Sequence, residues 1–485
     1  MGIIKKQSIS NSIIFYIGMF IGAINTILVY PNVFNEQPEH WGLIQLLVAY
    51  AMVISTFSSF GFPKVLIKFF PIFKDKSSLI GISFLLPSVG IFLFLLIYYF
   101  FKNQIFDLLN IDPSLQENFI YIFILVFCIS AYDILTSISR SHLDAVTPVI
   151  FNEFFLKIYT FIILVIHGFK FVDFNQFLLL YITGYFFKLL LLLYFQFTSG
   201  RMSFSLDFRN LELKKILTFG FFVFAGGLSI ILVTRLDMLM IGYLMNLEHV
   251  AFYTLAFFIG NAIAVPGRSV ITISVPLLSK AWEEKNLKEI ATIYSKSAIN
   301  QLIVSGFFFI LIWLNIDDIF SLLPEKFTHG KWVVFYIGIA QLINMSCGVN
   351  GAIIVNSDYF RYDLYTNIIL LIITIISNLI LIPLYGIDGA AMATAISLML
   401  FNFIRVGIIY FKMQIQPFTK KTLITFLSLL LTYFLVNLIP VSLNVYIDII
   451  IRSIVALVIF MPLCLKLNLS VDINQLYIQL LKRII

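Results

Sequence analysis

Charge is what this 485-residue chain has least of. Asp, Glu, Lys and Arg together make 12% of it, against 60% hydrophobic residues. A soluble globular protein carries about 25% charged residues, so the shortfall excludes an ordinary cytosolic enzyme. Cysteine is almost missing: Cys128, Cys347 and Cys464 all fall inside apolar runs and are too few for a disulfide framework. The five histidines, His40, His142, His167, His249 and His329, are scattered near the ends of such runs without metal-ligand spacing. No G-x-x-x-x-G-K-[ST] nucleotide loop, H-E-x-x-H or paired-carboxylate motif occurs. The net charge of +7, with a pI of about 9.0, includes no basic block in a soluble context. It is therefore assigned to membrane orientation and not to nucleic acid.

What the chain has is apolar length. Mean hydropathy is +1.00, and 53 phenylalanines suit lipid-facing and interhelical packing. Fourteen nearly uncharged stretches fall at 11–33, 41–62, 79–101, 118–139, 149–168, 174–197, 216–244, 250–278, 297–315, 332–355, 363–383, 387–411, 422–440 and 445–465. Each is close to the roughly 20 residues that, at about 1.5 Å per residue, cross a hydrocarbon core. In lipid only helices and closed barrels satisfy their own backbone, and runs this long are helical. The predicted fold class is an all-α polytopic membrane protein of about fourteen transmembrane helices. Asn11–Val33 is too long for a signal-peptide core and lacks an A-x-A site, so a retained first helix is expected.

Lys and Arg alternate between the links. The N-terminus, even-numbered links and tail hold twenty-two of the 32, and the odd-numbered links hold four: Lys102, Lys170, Lys326 and Lys331. That asymmetry predicts both termini in the cytoplasm. The tail, with Leu476, Ile478, Leu480, Leu481, Lys482 and Arg483, is expected along the inner surface.

Weak self-similarity recurs about 204–209 residues apart. Glu39-His40-Trp41-Gly42 opens the second span and Glu248-His249-Val250-Ala251 the eighth. Pro63-Lys64-Val65 resembles Gly267-Arg268-Ser269-Val270, and Phe70-Pro71 resembles Val275-Pro276. Spans 1–6 and 7–12 are thus expected to be two parallel lobes, 1–200 and 201–412, with two added C-terminal helices in 413–485. Transporters built from such repeats hold substrate between the lobes.

This layout resembles the Wzx-type polysaccharide flippases of the multidrug/oligosaccharidyl-lipid/polysaccharide exporter superfamily. The local cues are Asn11-Ser12, Ser59-Phe60-Gly61-Phe62-Pro63, Lys68-Phe69-Phe70-Pro71, Thr234-Arg235-Leu236-Asp237 and Met240-Ile241-Gly242. The resemblance implies a MATE/MurJ-like fold in a bacterial inner membrane. It also implies alternating-access transfer of an undecaprenyl-pyrophosphate-linked oligosaccharide, an O-antigen, capsule or exopolysaccharide unit, to the outer leaflet. Its implied partners are that polyprenyl-linked glycan, membrane lipids and polysaccharide polymerase machinery. The same superfamily contains the lipid II flippase and drug/cation antiporters, which stay open as alternatives.

Intramembrane charges are costly and mark function. The informative set is Glu153, Lys157, Lys188, Arg235, Asp237 and Arg268, joined by Lys64: five bases against two acids. A pyrophosphate is a compact anion that Arg and Lys donors hold well. Arg235, Arg268 and Lys64 are the expected pyrophosphate contacts, with Lys157 and Lys188 drawing in the head group. Glu153 and Asp237 are candidate coupling acids, with a proton or sodium gradient and no cofactor or metal as the energy source. Asp133 is expected to be a solvated structural residue. Blander readings exist: Glu153 and Lys157, four apart, pair directly, and Lys188 snorkels to the inner surface. Arg235 and Asp237, about 200° apart around a helix, do not face each other. Arg405 and Arg452 are expected as snorkelling anchors. Gly18 and Gly22 form a small-residue face and Gly226-Gly227 a close approach, while Pro266-Gly267 marks a hinge. A membrane glycosyltransferase, ligase or polymerase is disfavoured, because the longest outer links run only about 16 residues. A drug antiporter is expected to place acid in the first-lobe cavity; helix 1 has none, only Asn25, and Glu153 is what keeps that alternative open.

Overall fold

The computed structural model describes residues 2–209, 211–439 and 444–484, with the side chains of these except 2–9, 12, 268, 269, 272, 476 and 480–484. Helices are the only regular elements among the described residues. In chain order the first seven spans are Ile13–Val33, Pro38–Ser59, Lys76–Leu108, Ile120–Ser141, Val146–Gly168, Phe174–Thr198 and Leu213–Leu244. The eighth is Leu247–Gly267 and the ninth Leu287–Leu314; the tenth is a pair, Glu325–Ser346 and Asn350–Asn356, bent by 47°. Lys420–Asn437 and Val445–Lys466 are the last two.

Between them lies Arg361–Met413, 53 residues of nominally continuous helix. A straight helix of that length would run about 80 Å, more than twice the hydrocarbon thickness. It reverses instead. Gly386 adopts φ 59° and ψ −136°, outside the reach of an ordinary L-residue, three residues after Pro383. A Cβ on Gly389 would collide with the carbonyl of Leu381, eight residues earlier. The segment is the eleventh and twelfth spans, and fourteen crossings result.

The chain divides into two compact units, Met1–Thr254 and Leu255–Ile485. The repeat boundary expected at 200/201 concerns a duplication, which this spatial division does not test.

In unit 1 the first and fifth helices meet backbone to backbone. A Cβ at Gly18 would sit 2.5 Å from the Glu153 carbonyl oxygen, and one at Gly22 3.4 Å from Lys157 Nζ. Both helices carry a π-turn near this contact, Ile24–Val29 in the first and Ile150–Phe155 in the fifth. The second helix stops at Phe60 and Gly61, both at positive φ, and restarts as Phe62–Phe69 with Pro63 in its first turn. Gly226 and Gly227 do not provide the expected close approach: among the described residues nothing lies within 4 Å of a Cβ at either.

A latch closes two links of unit 1. Arg201 Nη1 donates to Asp144 Oδ2 at 2.8 Å, and the Asp144 carboxylate also accepts the Thr147 amide (3.1 Å) and hydroxyl (2.9 Å). Burial alone would raise the Asp144 carboxyl, but Arg201 and the Thr147 donors outweigh it and hold it below the ordinary carboxylate range.

Unit 2 repeats the punctuation. The eighth helix changes to a 3-10 turn at Ala262–Ala264 and resumes as Val265–Glu283 with Pro266 in its first turn, the break expected at Pro266-Gly267. Two expectations are corrected here. Arg405 is not a snorkelling anchor: it is buried, ion-paired to Asp363, donates to Thr366 Oγ1 at 3.2 Å and lies 4.1 Å from the Phe401 ring. Arg452 likewise turns inward, donating to the Leu314 carbonyl at 3.1 Å and facing Asp318 at 3.5 Å. Each finds a carboxylate on a neighbouring segment, which removes the drive to reach water. After Lys466 the chain forms the helix Val471–Ile484, in which Asp472 accepts from Asn300 at 2.8 Å. The side chains of Leu476, Leu480, Leu481, Lys482 and Arg483 lie outside the described residues.

Two outcomes follow from these contacts. Gly18→Ala forces its methyl onto the fifth helix's backbone, an overpacking cost of about 1–3 kcal/mol, and lowers the melting temperature of the detergent-purified protein. An unchanged melting curve would refute the close contact. The Asp144 latch, with its depressed carboxyl, stabilises fully above the unfolded value of about 3.9 and is lost as pH falls through the folded one. Asp144→Asn therefore lowers the melting temperature at pH 7, and the difference from wild type closes as the pH is taken below about 4. Equal melting at pH 7 would remove the latch.

Candidate functional site

A cavity of about 470 Å³ lies within unit 1, between the second, fourth, fifth, sixth and seventh helices. On the fourth helix its lining runs from Ile129 to Arg140, eleven residues or about 16 Å of rise. Its charged residues are Asp133, Arg140, Glu153, Lys157 and Lys188, three bases and two acids. Asp133 is exposed, but it opens onto this cavity and not onto an outer surface alone.

The π-turn of the fifth helix builds the centre of the site. An extra residue per turn shifts the helical register, a feature common where helices carry function. Asn152 and Glu153, adjacent within this turn, both line the cavity wall. Asn152 bridges two charges: its Oδ1 accepts from Lys188 Nζ at 2.8 Å, and its Nδ2 donates to Glu153 Oε1 at 3.0 Å. Glu153 Oε2 in turn pairs with Lys157 Nζ at 2.7 Å. The result is a relay, Lys188–Asn152–Glu153–Lys157, whose end charges fix the amide's orientation. Asn25, buried in the first helix's π-turn, donates Nδ2 to the Lys157 carbonyl at 2.9 Å and ties the fifth helix to the first.

Lys188 is the unusual member. It is 5% exposed, and among the described residues no carboxylate lies within 4 Å of its ammonium. The charge is held by the Asn152 amide oxygen and by the rings of Tyr132 and Tyr185, 4.5 and 4.7 Å away. Cation–π contacts of this kind, worth about 2 kcal/mol or more when desolvated, solvate the ammonium without neutralising it. Asp133 and Glu153, beyond contact distance, act on it electrostatically. Lys188 does not snorkel, so that reading is corrected. The Glu153–Lys157 pairing forms as the spacing predicted.

The other predicted residues are elsewhere. Arg235 is half-buried on the seventh helix, one turn beyond the cavity-lining Ile231, within electrostatic reach of Tyr181 and Tyr185. Among the described residues its buried Nε has no hydrogen-bond partner. It does not face Asp237, as the angular spacing predicted: Asp237 is buried and accepts from the Tyr253 hydroxyl at 2.5 Å. Lys64 is exposed on Phe62–Phe69 and does not line the cavity. The Arg268 side chain lies outside the described residues. Sequence reasoning missed Asn152 and Arg140. An amide beside an acid in an apolar run was the available signal for the first, and for the second the base closest to the fifth helix's opening.

The family model for "Polysaccharide biosynthesis protein" matches residues 4–282, more than half of the chain. Among curated proteins none matches the sequence. Among solved structures the chain is similar to "Lipid II flippase MurJ, inward closed conformation", with a TM-score of 0.72 at 15% identity, covering 94% of this chain and 98% of that one. It is also similar to an inward-facing multidrug resistance MATE family transporter of the MOP superfamily, TM-score 0.62 at 13% identity over 82% of this chain and 94% of that one. An outward-facing MATE family transporter gives 0.53 at 14% identity over 83% and 95%. These likenesses establish the fold, two-unit and helical throughout. The family model makes one statement: the chain belongs to the polysaccharide biosynthesis protein family, and its long apolar helices make it a multi-pass membrane protein.

Proposed function

We propose that the protein carries an undecaprenyl-pyrophosphate-linked oligosaccharide from the inner to the outer leaflet of a bacterial plasma membrane by alternating access, with both termini in the cytoplasm. The observation that carries this reading is Lys188: a buried ammonium without a carboxylate at contact distance, lining a cavity with Lys157 and Arg140. A charge left so in a membrane interior costs several kcal/mol. A diphosphate head group entering the cavity supplies the missing counter-charge. The excess of bases over acids opposes a cationic drug for the same reason. Lys157 is released from Glu153 when the phosphates arrive, and Arg235, Arg268 and Lys64 complete the contacts as the lobes 1–200 and 201–412 rock. Glu153 and Asp237 then exchange partners with the cargo, so a proton or sodium gradient drives the cycle without a bound cofactor. Delivery to polysaccharide polymerase machinery follows from the leaflet reached.

The test is transfer of a labelled undecaprenyl-pyrophosphate oligosaccharide in proteoliposomes, scored by its accessibility to an external lectin. Lys188→Ala lowers the rate at least tenfold at normal expression, and Lys188→Arg, which keeps the charge, restores a large part of it. Arg235→Ala and Arg268→Ala each abolish transfer. Undiminished export from the Lys188→Ala protein refutes the head-group assignment, and undiminished export from either arginine variant removes that residue from it. Preferential transfer of lipid II over the oligosaccharide carrier would replace the proposed cargo.

Coupling has its own readout. Rates rise with an imposed proton or sodium gradient, and Glu153→Gln or Asp237→Asn flattens that response. Rates indifferent to both gradients in the wild type rule out coupling through these acids.

A further inference from the structure

A second pocket of unit 1, of about 760 Å³, lies between the link after the first helix and the link after the fifth. Its volume is within the range of about 300–1,000 Å³ typical of small-molecule sites. Its chemistry differs from that of the cavity below. Asn32, Asn35 and Gln37, three amides in six residues, line one side, and His40 and His167 line the rest with Phe169 at the rim. Phe169 is 73% exposed. Glu36, Asp173 and Lys170 also line the pocket, so it has no surplus of positive charge and offers little to a pyrophosphate.

Several of these groups are held in fixed poses. The His40 ring stacks on Phe174 with centroids 3.7 Å apart and planes within 4°. His167 Nδ1 donates to the Val172 carbonyl at 2.9 Å, which leaves Nε2 of the neutral ring as an acceptor. Asn32 Nδ2 donates to the Leu28 carbonyl at 2.7 Å, leaving its Oδ1 to accept. Rigid rings, paired amide donors and acceptors, and an exposed aromatic face suit a ligand whose hydroxyls both donate and accept and whose C–H faces are apolar. From Lys157 to His167 is ten residues of the fifth helix, about 15 Å, the length of a few linked pyranose rings.

We infer that this pocket is a glycan subsite: it takes the sugars furthest from the pyrophosphate while the head group is held by Lys188 and Lys157. The inference rests on the flippase reading and adds a place where the length of the glycan is sensed.

Two carriers separate the two ideas. One is undecaprenyl pyrophosphate bearing a single N-acetylglucosamine, the other the same lipid bearing the host's complete repeating oligosaccharide. In the full-length protein in proteoliposomes, the double variant Asn35→Ala/Gln37→Ala, at two exposed link positions, slows transfer of the oligosaccharide carrier at least tenfold. It leaves the single-sugar carrier within twofold of wild type. Phe169→Ala behaves in the same direction. Detergent melting temperatures equal to wild type confirm that both variants fold. If both carriers are slowed alike, or neither is slowed, the subsite is refuted while the flippase reading stands. If the wild type transfers neither carrier, the flippase reading fails and takes the subsite with it.

Discussion

Hydrocarbon offers no water to a charge, so every ionic or polar group placed in it must find a partner within the protein. That single constraint organises the structure. Serine and threonine hydroxyls turn back onto their own helices, as Ser83 does on the Leu79 carbonyl at 2.7 Å and Thr374 on Leu370 at 2.8 Å. Arg405 and Arg452 are matched by Asp363 and Asp318. Lys157 is matched by Glu153. Against that background Lys188 stands apart: two tyrosine rings and one amide solvate it, and the proposed cargo would supply its counter-charge.

Fold and function part company at this point. Likeness to a lipid II flippase and to drug transporters at 13–15% identity describes a scaffold that serves chemically opposed cargoes. On the proposed reading, a cavity with three bases and two acids, one base without a contacting carboxylate among the described residues, suits an anion. The amide-rich pocket, inferred to be a glycan subsite, follows the same logic, because a neutral, hydroxyl-covered ligand needs paired donors and acceptors and not net charge.

Much of this was legible in the residues alone. Apolar length placed the fourteen crossings, including the boundary at 383–387 that helical geometry by itself runs together, because Pro383 and Gly386 are local signals with local consequences. The i, i+4 spacing of Glu153 and Lys157 gave their pairing, and the two-residue spacing of Arg235 and Asp237 gave their separation. Interactions across helices were not legible. Arg405 lies 42 residues from Asp363 and Arg452 lies 134 from Asp318, distances along the chain at which no periodicity carries information. The π-turns were hidden for a related reason: the turn at 150–155 lies where Gly18, Gly22 and Asn25 bring the first helix close, a contact between segments far apart in the chain.

The wider turn at Ile150–Phe155 also sets how this lineage can change. An α-helix advances about 100° per residue, so one amino acid removed beside the wide turn, with that turn kept, would swing the rest of the helix by nearly a third of a circle. Lys157 would leave the chamber for a neighbouring face, and Gly22 would lose its counterpart. Substitutions around the site are therefore open to gradual drift, whereas length in this stretch is not. Among sister proteins that move different glycans, side chains here should vary while the residue count between Pro148 and Lys157 stays constant.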